Sequence, residues 1–114
     1  MDRREPLYFI SVAAEIVGLH AQTLRKYERL GLIEPPRTAG KIRLYSDEDI
    51  RRLRQIKYLV EDIGLNLAGL ELALRASTLL ERLEQLAKSD LDGQELKRRI
   101  DAECHQFRKL LGLD

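Results

Sequence analysis

Apolar residues recur along this chain mostly at the three-to-four spacing of α-helices, with one short alternating stretch between residues 37 and 45. The apolar run LYFI at residues 7–10 reads as an extended lead-in. Ser11 is a good N-cap, and VAAEIVG follows it, with Ala13, Ile16 and Val17 on one face and Gly18 placed to end the helix. Leu19 and His20 leave room only for a very short connection. A second helix is expected from about Ala21 to Leu30, with Gly31 as its C-cap. Ala21, Leu24 and Tyr27 or Glu28 line one side of it, and Gln22, Arg25, Lys26 and Arg29 line the other at i, i+3, i+4 and i+7. Two short helices so tightly joined suit a helix-turn-helix whose second helix presents its polar face outward.

After Gly31, LIEPP cannot continue a helix, because Pro35 and Pro36 lack amide donors and restrict the residues before them. RTAGKIRLY then alternates, which predicts a small two-stranded wing turning at Ala39-Gly40. Lys41, Arg43 and Tyr45 would face out, and Ile42 and Leu44 inward. Ser46 to Asp49 reads as a capping box with acids at the positive end of a third helix. Its apolar face would run Ile50, Leu53, Ile56, Val60 and Ile63, with Gly64 as cap. Asn66 restarts a shorter helix through Leu67, Leu70 and Leu74. From Thr78 the pattern becomes heptad-like, with Leu79, Leu83 and Leu86, then Leu96, Ile100, Phe107 and Leu111. KSDLDGQ interrupts the series and puts Gly93 at a seam position. The expected fold is mainly α. A winged helix-turn-helix would occupy residues 7–76, and a coiled-coil dimerisation region 77–114, broken near Gly93. The alternative is that the residues after the break form a separate helix that folds back or contacts another partner.

Composition narrows this only slightly. At 114 residues there is room for about one domain, and 44% hydrophobic with 34% charged residues is globular. Six aromatic rings and no Trp make the core aliphatic. No apolar run reaches the ~18–20 residues of a membrane span. The opening MDRREPLYFI has no signal-peptide h-region, and the single cysteine, Cys104, fits a reducing, cytoplasmic setting. The distribution of charge is more telling than the net +1: residues 20–58 carry ten Lys/Arg against five Asp/Glu, whereas 64–114 carry eight against nine. A basic first half permits a nucleic acid, an acidic partner or a membrane surface.

The second helix and wing give that charge an arrangement suited to DNA. Cations along one face gain by releasing counterions from phosphates. Arg can grip guanine, and Gln adenine, with two hydrogen bonds each. An ordinary amphipathic helix and hairpin with solvated charge would show the same pattern. Here the residues become specific. The order ISVAAEIVGLHAQTLRKYERLGLIEPPRTAGKIRLYSDEDIRRL resembles the MerR family of dimeric winged-helix transcription regulators. The pieces that carry the likeness are Thr23-Leu24-Arg25, Tyr27-Glu28, Gly31-Leu32, Pro36, Arg37 and the Arg43-x-Tyr45-Ser46 wing exit, and it extends through GLNLAG at residues 64–69.

The resemblance implies DNA contacts from Gln22, Thr23, Arg25, Lys26 and Tyr27, and from Arg37, Lys41, Arg43 and Tyr45 of the wing, with Ser11 and His20 as phosphate contacts. For several of these a structural duty competes: N-capping for Ser11, a plain turn for His20, and packing for Tyr27 and Tyr45. Within the family, GLHAQTLRKYERLGLI, RTAG and NLAGL are most similar to the heat-shock repressor branch. That likeness implies a repressor of chaperone genes acting on an inverted-repeat operator, with the DnaK chaperone as candidate corepressor. The stripe of Leu79, Leu83, Leu86, Leu96, Ile100, Phe107 and Leu111 could be intramolecular core, but the family favours a seam between two subunits.

Cys104-His105 hints at a metal or thiol sensor, yet one Cys and two His fall short of the three or four ligands of a thiolate site. Cys104 is therefore expected on the apolar stripe, and no metal or cofactor is expected. No Ser/His/Asp or Cys/His arrangement and no phosphate-cradling glycine loop points to an enzyme. Two competing functions stand beside repression. One is an effector-responsive activator that distorts promoter DNA. The other is a helical chaperone-adaptor or interaction protein whose basic face is incidental.

Overall fold

A computed structural model describes residues 2–35 and 42–113. The chain divides into two compact units, Met1–Leu65 and Asn66–Asp114.

The first unit is built on α1 (Ile10–Val17), α2 (Ala21–Arg29) and α3 (Asp47–Lys57). α1 begins two residues earlier than its best capping residue would dictate. Phe9 holds the N-cap position, and Ser11 sits inside the first turn rather than ahead of it. The reason is tertiary: Tyr8 pairs antiparallel with Tyr45, through Tyr8 N–H to Tyr45 O at 2.9 Å and Tyr45 N–H to Tyr8 O at 2.6 Å, which keeps the chain extended up to that point. The same amino-terminal arm is tied at two further places. The Tyr8 hydroxyl donates to Asp47 Oδ1 at 2.8 Å, and the Arg3 carbonyl accepts from the Glu48 amide at 2.9 Å.

α1 turns Ala13, Ala14 and Val17 inward, while Ile16, expected on that face, is exposed. Two alanines allow α2 and α3, both packed on α1, to approach closely. α1 ends at Gly18, whose left-handed φ of 73° suits glycine. Lys57, at the far end of α3, completes this end by donating from Nζ to the carbonyls of Val17 (3.1 Å) and Gly18 (3.3 Å). A cation on the last carbonyls also opposes the negative end of the helix dipole. A Cβ on Gly18 would lie 2.8 Å from that ammonium, so Gly18→Ala adds a displaced hydrogen bond to a strained backbone. It should destabilise the unit by about 1–2 kcal/mol, read as a lower midpoint in urea with an unchanged slope.

Ser46 caps α3 as expected. Its hydroxyl accepts from the Asp49 amide at 3.1 Å, and Asp49 Oδ2 accepts from the Ser46 amide at 2.9 Å. Ile50, Leu53 and Ile56 are buried, but the apolar series then fails. After Lys57 the helix widens into a π-helical turn, Tyr58–Ile63, and the wider turn shifts the side-chain register. Val60 is only half-buried and Ile63 is 53% exposed, contrary to the extrapolated face. Gly64, at a φ of 85°, ends the turn.

The second unit is a helical hairpin. Asn66 caps α4 (Leu67–Ala87) by accepting from the Gly69 amide at 2.9 Å. The short helix and the heptad segment expected separately are one helix of 21 residues, with no break near Thr78. The chain turns at residues 88–92, and Asp92 caps α5 (Gly93–Leu110) by accepting from the Glu95 amide at 2.9 Å. Gly93 is thus the first residue of α5 rather than a flaw in a seam.

α5 packs back on α4, which gives the stripe a partner within the chain. Leu79 is buried and Leu83, Leu86, Leu96 and Phe107 are half-buried, whereas Ile100 is partly and Leu111 largely exposed. The inward face of α5 follows 96, 103, 107 and 110, so Leu110 takes the place assigned to Leu111. Cys104 stands one position off this face. It is exposed and free, not part of the apolar stripe. None of the helices described is long and apolar enough to cross a membrane.

Candidate nucleic-acid interface

α2 is anchored by two side chains. Leu24 is fully buried and Tyr27 retains 9% exposure, so both point into the first unit. Burial, and after it the charge of Glu61, raises the Tyr27 phenol above its ordinary range. Around these anchors, Gln22, Lys26 and Arg29 are exposed, and Thr23 and Arg25 are half-exposed. The polar face is therefore presented along the helix as its spacing predicts.

The amino-terminal ends of the helices differ in a way that bears on anions. Ser46, Asn66 and Asp92 cap α3, α4 and α5 with their side chains, and α3 adds three acids in its first turn. α1 and α2 have neither a side-chain cap nor an acid in the first turn. His20 occupies the N-cap position of α2, exposed, without capping it, and Ser11 lies exposed in the first turn of α1. Uncapped amides at the positive end of a helix favour phosphate.

The wing exit lies against α2. Arg43 Nε is 2.8 Å from Glu28 Oε1, an ion pair whose side chains are 32% and 16% exposed. The expected parity of this strand is inverted: Tyr45, placed outward from the alternation, is fully buried, and Ile42, placed inward, is exposed. Pairing with Tyr8 turns the Tyr45 ring into the unit, which takes it out of reach of a base. Burial is the main cause, and the Glu28 carboxylate the next, of a Tyr45 phenol pushed up to about 12. Its hydroxyl has no hydrogen-bond partner among the described residues. Arg25 acts on the same phenol, so Arg25, Glu28, Arg43 and Tyr45 form one polar cluster at the base of the wing. Arg37, Lys41 and the Ala39-Gly40 turn lie outside the described residues.

Sequence reasoning missed Glu28 as the partner of Arg43 and Lys57 as the cap of α1. The first had a signal, since a lone acid on a helix otherwise rich in cations invites a partner. Nothing local marks the second, because its acceptors are forty residues away.

Residues 8–77 match the model of the family described as MerR HTH family regulatory protein. The chain belongs to the MerR family. Among relatives, the chain is 52% identical over 92 residues to HspR, by name a heat shock protein of Streptomyces coelicolor, an alignment covering 77% of this chain and 60% of that one. The chain thus spans less than two thirds of that relative. It is 36% identical over 98 residues to the transcriptional regulator GlnR of Bacillus anthracis, covering 79% of this chain and 75% of GlnR. GlnR is by name a transcriptional regulator. A crystal structure of HiNmlR, a MerR family regulator lacking the sensor domain, bound to promoter DNA, superposes with a TM-score of 0.57 at 22% identity, over 92% of this chain and 78% of that one. This MerR fold, mainly helical, is the one the sequence pattern predicts. Among the described residues, no group of three or more His, Cys, Asp and Glu is placed to hold a metal ion.

Proposed function

We propose that this MerR-family chain is a sequence-specific DNA-binding repressor of heat-shock and chaperone genes, acting in the cytoplasm as a homodimer on an inverted-repeat operator. The observation that carries the DNA-binding part is α2 itself: an outer face of Gln22, Arg25, Lys26 and Arg29 over buried Leu24 and Tyr27, with an uncapped amino terminus and Arg43 alongside. The 52% identity with HspR supports the heat-shock assignment.

In this reading Gln22, Thr23, Arg25 and Lys26 enter the major groove. Ser11 and His20 meet phosphates at the open ends of α1 and α2, and Arg37, Lys41 and Arg43 follow the flanking backbone or minor groove. A two-fold dimer would set two copies of α2 in successive major grooves, ~34 Å apart. The apolar side chains left exposed on the hairpin, including Leu80, Ile100 and Leu111, supply surface for such a seam. The DnaK chaperone, implied by the family resemblance, is the candidate corepressor.

Selection of bound sites from random duplex DNA tests the proposal. An enriched inverted repeat is expected. Weak binding without a preferred sequence would instead favour the interaction-protein reading. Transcription in vitro from a promoter carrying the selected site should fall, whereas an activator would raise it.

Glu28 gives a finer expectation. Its carboxylate offsets the charge of Arg43 and holds the wing exit to α2. Glu28→Gln should tighten binding to random DNA and steepen its salt dependence by up to about one unit of slope, while narrowing the preference for the operator. Affinity measured on both DNAs over a salt series reads each effect, and an unchanged slope would show that Arg43 stays away from phosphate.

A further inference from the structure

The α4–α5 hairpin has a feature that DNA binding does not use. On α4, Arg75, Thr78, Leu79 and Arg82 stand at i, i+3, i+4 and i+7, and so share one ridge. Lys109 and Leu110 of α5 face that ridge across a cavity of about 530 Å³. Past Arg82 a second cavity of about 640 Å³ continues along Leu86 to Leu91 at the turn. The two share Arg82 and form a trough open to solvent along the hairpin. From Arg75 to Ser89 the ridge is about 20 Å long at 1.5 Å per residue.

Charge is unevenly spent along the trough. Near the turn it is matched: Glu95 Oε1 receives Arg98 Nη2 at 2.6 Å and Arg99 Nε at 2.9 Å, and these guanidiniums hold its carboxyl at about 2. Glu103 Oε2 lies 3.7 Å from Arg82 Nη1. At the other end no acid lines the cavity, and Arg75 and Lys109 form no ion pair among the described residues. Leu79 and Leu110 supply an apolar floor between these cations.

We infer that this trough docks an acidic amphipathic helix of a partner protein, its leucine-like face on Leu79, Leu86 and Leu110 and its carboxylates on Arg75, Arg82 and Lys109. A small anion would use the cations and leave most of the trough unfilled. Duplex DNA would meet the charge but cannot seat on a floor of leucines one helix wide. A second copy of the chain is the remaining occupant, and the experiment separates it.

The probe is a fluorescent 16-residue helical peptide carrying Leu and Glu on opposite faces, titrated into the full chain and read by anisotropy. Saturable binding in roughly the micromolar range is expected, weakening with salt. A peptide with every Glu replaced by Lys should not bind. Arg75→Glu combined with Lys109→Glu alters exposed positions and should leave the helical circular dichroism unchanged while weakening the acidic peptide roughly tenfold or more. Arg75→Gln with Lys109→Gln should give a smaller loss in the same direction. Operator affinity should not change in either variant. Binding weaker than about 1 mM, or equal binding by wild type and both variants, would overturn the assignment. So would a shift of the monomer–dimer equilibrium by these variants in sedimentation, which would give the trough to a second copy.

Discussion

Leu24→Ala is expected to destabilise the chain by about 2–4 kcal/mol, the usual cost of deleting a fully buried leucine where the surroundings cannot collapse. Leu24 has no solvent exposure, and with Tyr27 it fixes α2 to the first unit. Both the transfer of the side chain and the cavity left behind contribute. Against a total stability of about 5–15 kcal/mol for a small domain, this is a large fraction. The midpoint of urea unfolding should fall without a change in slope. DNA binding at 37 °C should fall in parallel, because α2 loses its fixed presentation while keeping every polar side chain. A loss below about 1 kcal/mol would mean that neighbouring side chains close the gap, and would remove Leu24 as the anchor.

Arg25→Ala should act on binding and leave folding alone. Arg25 is half-exposed, one step from Leu24 on the helix, and its charge reaches the Tyr45 phenol at the base of the wing. In the proposed complex that position turns the guanidinium toward the major groove. Operator affinity should drop by about 1–3 kcal/mol, and discrimination at one base pair should relax. Lys26→Ala provides the contrast: it should weaken operator and random DNA alike and lower the salt slope by about one. Equal behaviour of the two variants would reassign Arg25 to the phosphate backbone.

The helices were legible where local chemistry decides them. Ser46 with Asp49 caps α3, Gly18 and Gly64 adopt the left-handed conformation, and the i, i+3, i+4 pattern separates Leu24 from Gln22 and Lys26. Errors arose where a distant partner decides. Ser11 has the better capping chemistry, yet the pairing of Tyr8 with Tyr45 sets where α1 begins. The same pairing reverses the inside and outside of residues 42–45, since strand alternation fixes two faces but not which of them is buried.

Register explains the remaining misses. A heptad count carried on from Leu83 put Cys104 and Leu111 on the stripe of α5. The turn at residues 88–92 resets the register and brings 103 and 110 to that face with Leu96 instead. Single residue types also conceal duty. Glu28 read as an alternative to Tyr27 on the inward side of α2, while the structure sets it against Arg43. The cations themselves were legible, and their restraint by a carboxylate was not.

The π-helical turn at Tyr58–Ile63 holds one residue more than an α-helix needs to cover the same path. It is therefore a site where length can change without breaking the helix on either side. Deleting a single residue there would let α3 run on as an ordinary α-helix over the same path. The exit of the chain at Gly64 would keep its direction, because the residue removed is the surplus one, whereas removing a residue from α3 itself would turn it by about 100°. In a lineage of such chains, loss of one codon in this segment would be absorbed by the surplus residue, whereas the same loss within α3 would shift every side chain beyond it.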